Sequence, residues 1–402
     1  MIKIQFRKNR FFCICLVILL IAPTIQGVFK ITREGSLYGY IDPIPEKPTH
    51  YLPSFFDKSL QQWIEKKFNA HVGFRALFIR SFNEINFKLF RETDTSRLKL
   101  MTSKRHGLYS NLSIDSLNRD VMLKHDLDQY YQMEAQKLRT IQDKLAAQGK
   151  QFQVVIASSK AYVYPKELGS RLLAGGSAHI FNRAISFGAI LKAAGVNVID
   201  SGPLLRQRVH TAHIETHPAS GLHWNYYAAC LVAQAIIDKA QQVYPTMAGL
   251  GCDPAQRIYS PMNDVDVDGY LLLNLWSDVG LLARTTYPTI HATPPIQQMN
   301  TAQPWQPRIV FIGDSFSDQI RFAFKKANMY SHIVMSSYFK TREVQDQNGI
   351  LEASNDTAVI QAQLLADMKS SDLVILELVD YNIHPSSDMY AYGFADYVAP
   401  RL

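Results

Sequence analysis

The hydrophobic pattern of the chain changes about a third of the way along it. Two upstream stripes of apolar residues recur three and four positions apart, a spacing that places them on one face of a helix. The first stripe is Phe56, Leu60, Trp63, Ile64 and Phe68, and the second is Phe74, Leu77, Phe78, Phe82, Ile85 and Leu89. The pattern predicts two amphipathic helices. We expect their aromatic faces to be buried in a core, with packing against a bilayer or a membrane partner as the alternative.

Further along, short apolar runs alternate with helical patterns. A third helix is predicted at about 126–147 and ends near Gly149. The strand-like runs are 152–157, 196–199, 309–312, 332–335 and 373–378, and the helical patterns between them are about 181–193, 225–243, 318–327 and 357–368. This alternation predicts right-handed βαβ units. The expected fold is therefore α/β, with a parallel sheet covered by helices on both faces. The stretch at about 245–305 interrupts the rhythm and is predicted to be an insertion.

The N-terminus has the charge pattern of an export signal. Four basic residues precede an apolar run over residues 11–22, and such a positive flank is expected to stay in the cytoplasm. No good small-x-small cleavage site follows, which favours an uncleaved inner-membrane anchor over a cleaved signal peptide. We therefore expect an anchor at 1–30, a stalk with amphipathic helices at 31–100, and a periplasmic domain at 101–402.

Composition narrows the functional classes. The chain has 402 residues, of which 47% are hydrophobic and 19% charged, so it should bury a substantial core. The net charge of +7 favours anionic neighbours such as membrane surfaces or acidic polymers. No nucleic-acid partner is expected, because no basic helix is interleaved with aromatic residues. Cys230 and Cys252 lie in the exported part, where they could form a disulfide or stay as two buried thiols.

The strongest chemical signal is the run Gly313-Asp314-Ser315, which ends the apolar stretch 309–312. It predicts a serine hydroxyl at the carboxyl edge of a parallel strand, beside a helix N-terminus. The free amides of such a helix start can hold an oxyanion, although serine is also a common N-cap residue. A serine nucleophile needs a base, and His223 is the candidate, since it lies at the start of a predicted helix. The alternative is a histidine that only caps or packs there.

Three further residues are candidates for substrate contact. Trp224 and Tyr226 could stack on sugar rings, although aromatic residues at a helix start are more often part of the core. Glu377, at the end of a predicted buried strand, is either a substrate-binding acid or a satisfied structural carboxylate.

Two other polar clusters resemble metal sites. His210, His213, Glu215 and His217 are the types of residue that bind zinc, but their spacing matches no zinc motif, and Pro218 interrupts any helix. The run 264–269 resembles the start of a calcium-binding loop, yet Leu275 stands where the twelfth-position acid is needed. No metal and no cofactor is therefore expected.

With these motifs in hand, the sequence resembles a known family. Gly313 to Phe316 resembles the nucleophile block of the SGNH hydrolase superfamily, and the rest resembles its alginate O-acetyltransferase (AlgJ/AlgX-like) branch. The segments that carry the resemblance, in order, are 68–90, 105–109, 159–165, 223–229 and 374–377. The resemblance implies an SGNH-like, flavodoxin-like fold and an exported enzyme that moves acetyl groups onto hydroxyls of an exopolysaccharide. It also implies Ser315 as nucleophile, His223 as base, and a multi-pass membrane acyltransferase as acetyl donor.

The sequence departs from this family at one position. The family commonly has aspartate two residues before the histidine, where it orients the imidazole, and this chain has Gly221. Glu215, Asp314 and Asp200 are the candidates for that role, and a Ser-His dyad with a backbone carbonyl is the alternative. An enzyme without its orienting carboxylate can lose about four powers of ten in rate. A carbohydrate acetylesterase and an inactive binding or scaffold component of an export complex therefore remain alternative functions.

Overall fold

A computed structural model gives the fold of the chain. The residues it describes are 14, 16–18, 21–39, 44–90, 92–94, 99–103, 107–123, 127–174, 182–212, 215–252, 258–260, 269, 271–276, 291–293, 296–299, 305–338, 340–384 and 393–402. The chain divides into two compact units, Met1–Arg97 with Leu271–Leu282, and Leu98–Tyr270 with Ala283–Leu402. The sequence-based boundaries at 30 and 100, and the insertion at about 245–305, stay predictions.

The smaller unit is mainly helical. Residues 21–29 form a helical segment, which is followed by α1 (Tyr51–Phe56), α2 (Ser59–His71), α3 (Arg75–Phe90) and the short strand β1 (Glu92–Asp94). The two amphipathic helices expected upstream thus correspond to α2 and α3. Among the described residues, no helix combines the length and apolar character needed to cross a membrane.

The expectation that the aromatic faces of α2 and α3 are buried is wrong. Phe68, Phe78 and Phe82 are 59%, 53% and 61% exposed. The side that α3 buries instead contains the polar residues Arg80 and Asn83. These two side chains replace their water contacts by donating hydrogen bonds to backbone carbonyls within the same unit.

The larger unit contains the central sheet. Its helices are α4 (Asn111–Leu123), α5 (Asp128–Ala146), α6 (Lys160–Val163), α7 (Pro165–Leu172), α8 (Arg183–Ala193), α9 (Ser201–Ala212), α10 (Tyr226–Ala240), α11 (Phe316–Lys326), α12 (Thr357–Ser370) and α13 (Phe394–Val398). Its strands are β2 (Lys99–Thr102), β3 (Leu108–Ser110), β4 (Gln151–Ala157), β5 (Val198–Asp200), β6 (Gly249–Cys252), β7 (Ile258–Ser260), β8 (His291–Thr293), β9 (Ile296–Met299), β10 (Arg308–Ile312), β11 (His332–Ser337), β12 (Thr341–Gln345), β13 (Ile350–Ser354) and β14 (Leu373–Val379).

Seven of these strands form the central sheet, in the order β13-β12-β11-β10-β14-β4-β5. The five from β11 to β5 are parallel, and β12 and β13 extend the edge as an antiparallel hairpin. The mixed α/β fold with a mostly parallel sheet is therefore confirmed. Because all five parallel strands run the same way, the loops after them lie at one edge.

The strand order brings the last strand of the chain next to the middle of the sheet. Numbered along the chain, the five parallel strands lie in the order 2-1-5-3-4, which differs from the 2-1-3-4-5 order of flavodoxin. In consequence β14 pairs with β10 on one side and with β4 on the other. The residues at the carboxyl end of β14 therefore lie beside those that follow β10 and β4.

Both faces of the sheet are covered by helices, as expected from the alternating pattern. Along β10, Ile309 and Phe311 pack on the face that carries α10 and α11, whereas Val310 and Ile312 pack on the face that carries α5, α8 and α12. A fully buried side chain of this size contributes about 1.5–3 kcal/mol. On the first face, Cys230 of α10 and Cys252 of β6 form a disulfide. The sequence had left open whether these two cysteines form a disulfide or stay as buried thiols.

Candidate active site

The hydroxyl of Ser315 and the imidazole of His223 meet at the carboxyl edge of the sheet. His223 Nε2 lies 2.6 Å from Ser315 Oγ, across 92 positions of sequence. Ser315 is exposed and occupies the N-cap position of α11, directly after β10. His223 precedes the first turn of α10. This is the distance at which a general base takes a proton from a nucleophile.

Gly313 lies in the turn between β10 and Ser315, where there is no room for a side chain. A Cβ atom at this position would lie 2.6 Å from Glu377 Oε2 and 2.7 Å from Ser317 Oγ. Glu377 Oε2 accepts hydrogen bonds from the Asp314 N–H, at 2.9 Å, and from Ser317 Oγ, at 3.1 Å. The turn that carries Ser315 is thus tied to β14 by a buried carboxyl group, and the space left there accommodates only glycine.

Glu377 is fully buried, so its side chain does not lie on the substrate-binding surface. Its Oε2 makes hydrogen bonds, whereas its Oε1 is buried with no hydrogen-bond partner among the described residues, so the alternative of a satisfied structural carboxylate is met only in part. Burial raises the pKa of Glu377 well above its ordinary value, and the nearby charge of Asp314 raises it further. Burial also raises the pKa of Asp314. Because two adjacent buried carboxyl groups do not both ionise readily, the pair retains a proton, which we place on Glu377.

Trp224 is also fully buried, because its ring completes the packing beneath the histidine. Trp224 Nε1 donates to the Phe316 carbonyl at 3.1 Å, and the Trp224 and Phe316 rings meet edge to face, with centroids 5.1 Å apart. The Phe316 ring also contacts the His223 ring, with centroids 4.8 Å apart. The core alternative for Trp224 is therefore correct, and sugar stacking by this residue is wrong. Tyr226 is half-buried and stacks on Phe322, and its substrate role stays a prediction.

The loop before His223 is closed on itself by hydrogen bonds. The Asn225 N–H donates to the Thr216 carbonyl at 2.9 Å, and Asn225 Nδ2 donates to the Glu215 carbonyl at 2.8 Å. Asn225 Oδ1 accepts from the Ala228 N–H and so caps α10. One asparagine therefore joins both ends of the histidine loop to the start of the helix.

A buried lysine fills the centre of this loop. Lys160 Nζ donates to the carbonyls of Pro218, Ala219 and Gly221, at 2.5, 2.8 and 2.8 Å, and to the Leu108 carbonyl at 2.9 Å. Sequence reasoning did not single out this side chain. The only hint of a role for Lys160 in the sequence was its position in the segment 159–165, which resembles the family. The structure identifies it as the group that gathers the carbonyls just before His223.

The candidate orienting acids lie in different places. Glu215 is exposed, and its charge adds to the burial that raises the pKa of Tyr164 to about 12. Asp314 Oδ1 accepts from the Phe316 N–H at 2.9 Å, and the charge of His223 favours ionisation of this carboxyl against the effect of burial. Asp200 Oδ1 accepts from the Gly202 N–H, at the end of β5. The orienting roles of Glu215 and Asp314 stay predictions.

The metal-like clusters do not come together among the described residues, where no group of three or more histidine, cysteine or acidic side chains could hold an ion. His217 Nε2 instead contacts the Ser158 carbonyl at 3.0 Å, and burial lowers the pKa of this histidine to about 3. His213 and the run 264–268 lie outside the described residues.

The sequence can now be placed among known proteins. The profile of the SGNH hydrolase-like domain of the acetyltransferase AlgX matches residues 117–328, which is more than half of the chain. The chain belongs to this AlgX-type family. The matched region begins in α4 and ends just after α11, so it contains both Ser315 and His223. No curated protein sequence is significantly similar to the chain.

Solved structures of AlgX-type and related proteins resemble the chain more distantly. The O-acetyltransferase domain of Pseudomonas putida AlgJ has a TM-score of 0.47 and 15% identity, over 76% of this chain and 100% of that one. Pseudomonas aeruginosa AlgX has a TM-score of 0.42 and 15% identity, over 66% and 60% of the two chains. Bacillus cereus PatB1 has a TM-score of 0.39 and 14% identity, over 73% and 99%. At these TM-scores the similarities carry no argument about activity, and the family assignment depends on the profile match.

Proposed function

We propose that this protein is an exported O-acetyltransferase that moves acetyl groups onto hydroxyls of a cell-surface or secreted polysaccharide, through an acetyl-serine intermediate on Ser315. The observation that carries the proposal is the 2.6 Å contact between Ser315 Oγ and His223 Nε2 at the exposed edge of the sheet. Membership of an acetyltransferase family supports the choice of acyl group.

The reaction proceeds in two half-reactions. His223 Nε2 takes the proton of Ser315 as Oγ attacks the acetyl carbonyl, and the tetrahedral intermediate collapses as the imidazolium protonates the leaving group. A sugar hydroxyl then attacks the acetyl-serine, giving its proton to His223, and the serine leaves with that proton. The Ser315 N–H, which has no acceptor among the described residues, is one candidate donor to the oxyanion.

The location and the partners belong to the same proposal. The basic and apolar N-terminus supports an inner-membrane anchor with the remainder in the periplasm, and the Cys230–Cys252 disulfide suits an oxidising compartment. A multi-pass membrane acyltransferase is the proposed source of the acetyl group. Transfer to the sugar is faster than hydrolysis of the acetyl-serine only if the bound polysaccharide excludes water from the exposed serine.

The test uses the full chain and a chromogenic acetyl ester, with and without oligosaccharide acceptors. We expect acetyl-ester turnover by the wild type, a protein mass increased by one acetyl group at Ser315, and acetylated acceptor. Ser315→Ala and His223→Ala should each abolish turnover. The matched controls Ser370→Ala and His210→Ala change exposed residues outside the site and should keep it.

Each alternative function has its own outcome. Acetate release that no acceptor alters, with no acetylated sugar, would assign the protein as an acetylesterase. Normal polymer acetylation in cells that carry Ser315→Ala or His223→Ala would refute a catalytic role and leave a binding or scaffold function.

A further inference from the structure

The third helix of the smaller unit is apolar on the side that faces solvent. Its buried side is mixed and consists of Ala76, Arg80, Asn83 and Phe87, while the opposite side carries four large apolar residues spaced four, three and four positions apart. These four are Phe78, Phe82, Ile85 and Leu89, which are 53%, 61%, 58% and 69% exposed. In a helix of a water-soluble unit the apolar stripe faces the core. We call these four residues the outer face of α3.

The other helices of the same unit also expose large apolar residues. The other exposed large apolar residues of α1, α2 and α3 are Tyr51, Leu52, Phe55, Phe56, Ile64, Phe68, Leu77 and Phe90. Single exposed apolar residues need no explanation, but a surface with this many aromatic rings marks a site of contact.

A close backbone contact connects this surface to the apolar N-terminal segment. The Gly73 N–H, at the corner between α2 and α3, donates to the Pro23 carbonyl at 2.9 Å. A Cβ atom at Gly73 would collide with Gln26, and one at Gly27 would collide with the His71 carbonyl. The corner is therefore fixed against the end of the helical segment 21–29.

Positive charge lies at the same corner. A cavity of about 620 Å³ there is lined by Lys30, Arg33, Arg75 and one acidic residue, Glu34. The Glu34 carboxylate accepts hydrogen bonds from the Phe74 and Ala76 N–H groups at the start of α3, so it is engaged in capping that helix. The three cationic side chains give the cavity a charge that complements an anionic phosphate.

We propose that the outer face of α3 docks on the surface of a phospholipid bilayer, with its four apolar side chains among the acyl chains and with anionic headgroups at Lys30, Arg33 and Arg75. Helices with an apolar face and flanking cations lie in the membrane interface in this way. A bilayer fits better than a second copy of the chain, because the surface joins an apolar segment whose own N-terminal flank is basic. This contact is additional to the proposed anchor, and it does not depend on the acetyl-transfer chemistry.

The test places a fluorescent label on the outer face. In the full chain, Cys13 and Cys15 are changed to serine, and Cys230 and Cys252 are protected by their disulfide. A single cysteine is then introduced by Phe82→Cys, labelled with an environment-sensitive dye, and the protein is reconstituted into vesicles of phosphatidylethanolamine and phosphatidylglycerol. The control label is introduced by Ser370→Cys, at an exposed position of the larger unit.

Lipids brominated on their acyl chains report on contact with the bilayer. We expect them to quench the label at 82 several-fold more strongly than the label at 370. Equal quenching at the two positions would overturn the proposal. A blue-shifted label at 82 without quenching by bromine would also overturn it, since a protein partner or a second copy would then cover the face.

A second set of variants tests the apolar contact itself. With the label introduced by Leu89→Cys, Phe78→Ser with Phe82→Ser should reduce the quenching several-fold, whereas Phe78→Leu with Phe82→Leu should retain it. Equal quenching in the serine and leucine variants would contradict the role of these side chains. Alkaline extraction of the vesicles reports separately on the anchor, and acetyl-ester turnover reports separately on the proposed function.

Discussion

Replacement of Lys160 by methionine is the most informative perturbation of the site. The ammonium group has three N–H donors, and the carbonyls of Pro218, Ala219 and Gly221 share them with the Leu108 carbonyl. Hydrogen bonds to a charged group are worth about 1.5–3 kcal/mol each, so the low end for three is about 4–5 kcal/mol. Part of this is offset because methionine avoids the cost of burying a charge. We expect Lys160→Met to lower the free energy of unfolding by about 3 kcal/mol.

The loss of Lys160 should affect catalysis more than folding. A domain with about 5–15 kcal/mol of stability survives a loss of this size. The carbonyls of Pro218, Ala219 and Gly221 would then turn towards water, and the histidine loop would shift relative to Ser315. A displacement of about 1 Å at a reacting group can cost about 100-fold in rate. We therefore expect kcat to fall about 100-fold with little change in KM.

The assay combines denaturant unfolding with steady-state turnover of an acetyl ester. The matched control is Lys166→Met, which removes an exposed lysine from α7 in the same part of the chain and should alter neither quantity. A Lys160→Met protein with wild-type kcat would show that the lysine does not position the histidine. An equal fall in kcat for both lysine variants would show that the effect is not specific to the loop.

Four further changes test the packing and the charges around the site. Glu377→Gln should retain most of the activity while Glu377→Ala loses it, because a neutral amide can replace a protonated carboxyl; equal kcat values would contradict this. Gly313→Ala should cost about 1–3 kcal/mol in a thermal unfolding scan, and an unchanged Tm would refute the steric argument. Changing both Cys230 and Cys252 to alanine should cost about 3 kcal/mol in urea, the value for a loop of 22 residues, whereas no loss would mean that the disulfide adds no stability. Asp380 lies directly after β14, and its Oδ2 accepts hydrogen bonds from the Ser159 N–H, Ser159 Oγ and Asn182 Nδ2. Burial raises the pKa of Asp380 from 3.8 to about 7, so the folded state holds this proton more tightly and the free energy of unfolding falls as pH rises through that range; Asp380→Asn should remove up to about 4 kcal/mol of this fall, and identical pH profiles for the two proteins would count against it.

The buried parallel strands could be predicted from the sequence because such strands are continuous apolar runs. The run 309–312 corresponds to β10, and 373–378 corresponds to β14. The hairpin β12–β13 was not predicted, because it lies at an edge of the sheet and its residues are largely polar. Its turn depends on Asp346, whose Oδ1 accepts hydrogen bonds from the Asn348 and Gly349 N–H groups.

The sequence identified residues that lie at or next to the site, but it did not predict the direction of every side chain. Ser315 was recognisable because it lies between an apolar run and a predicted helix, and His223 because it lies at the start of a predicted helix. Trp224 and Glu377 were assigned to the substrate surface, yet both side chains point into the core. The direction of Glu377 depends on β14 lying between β10 and β4, and strand order is not encoded in the local pattern of any one segment.

The buried polar groups bear on the choice between an enzyme and an inactive binding protein. Burying a lysine and a carboxyl group costs free energy, and apolar residues of similar volume are often as stabilising or more so. Both groups nevertheless make hydrogen bonds next to the site: Lys160 to the loop that carries His223, and Glu377, through Oε2, to the turn that carries Ser315. Two independent buried polar groups thus fix the two segments that carry the proposed Ser315–His223 pair. A protein that only binds polysaccharide has no need for such precision at an exposed serine, and the arrangement therefore favours catalysis.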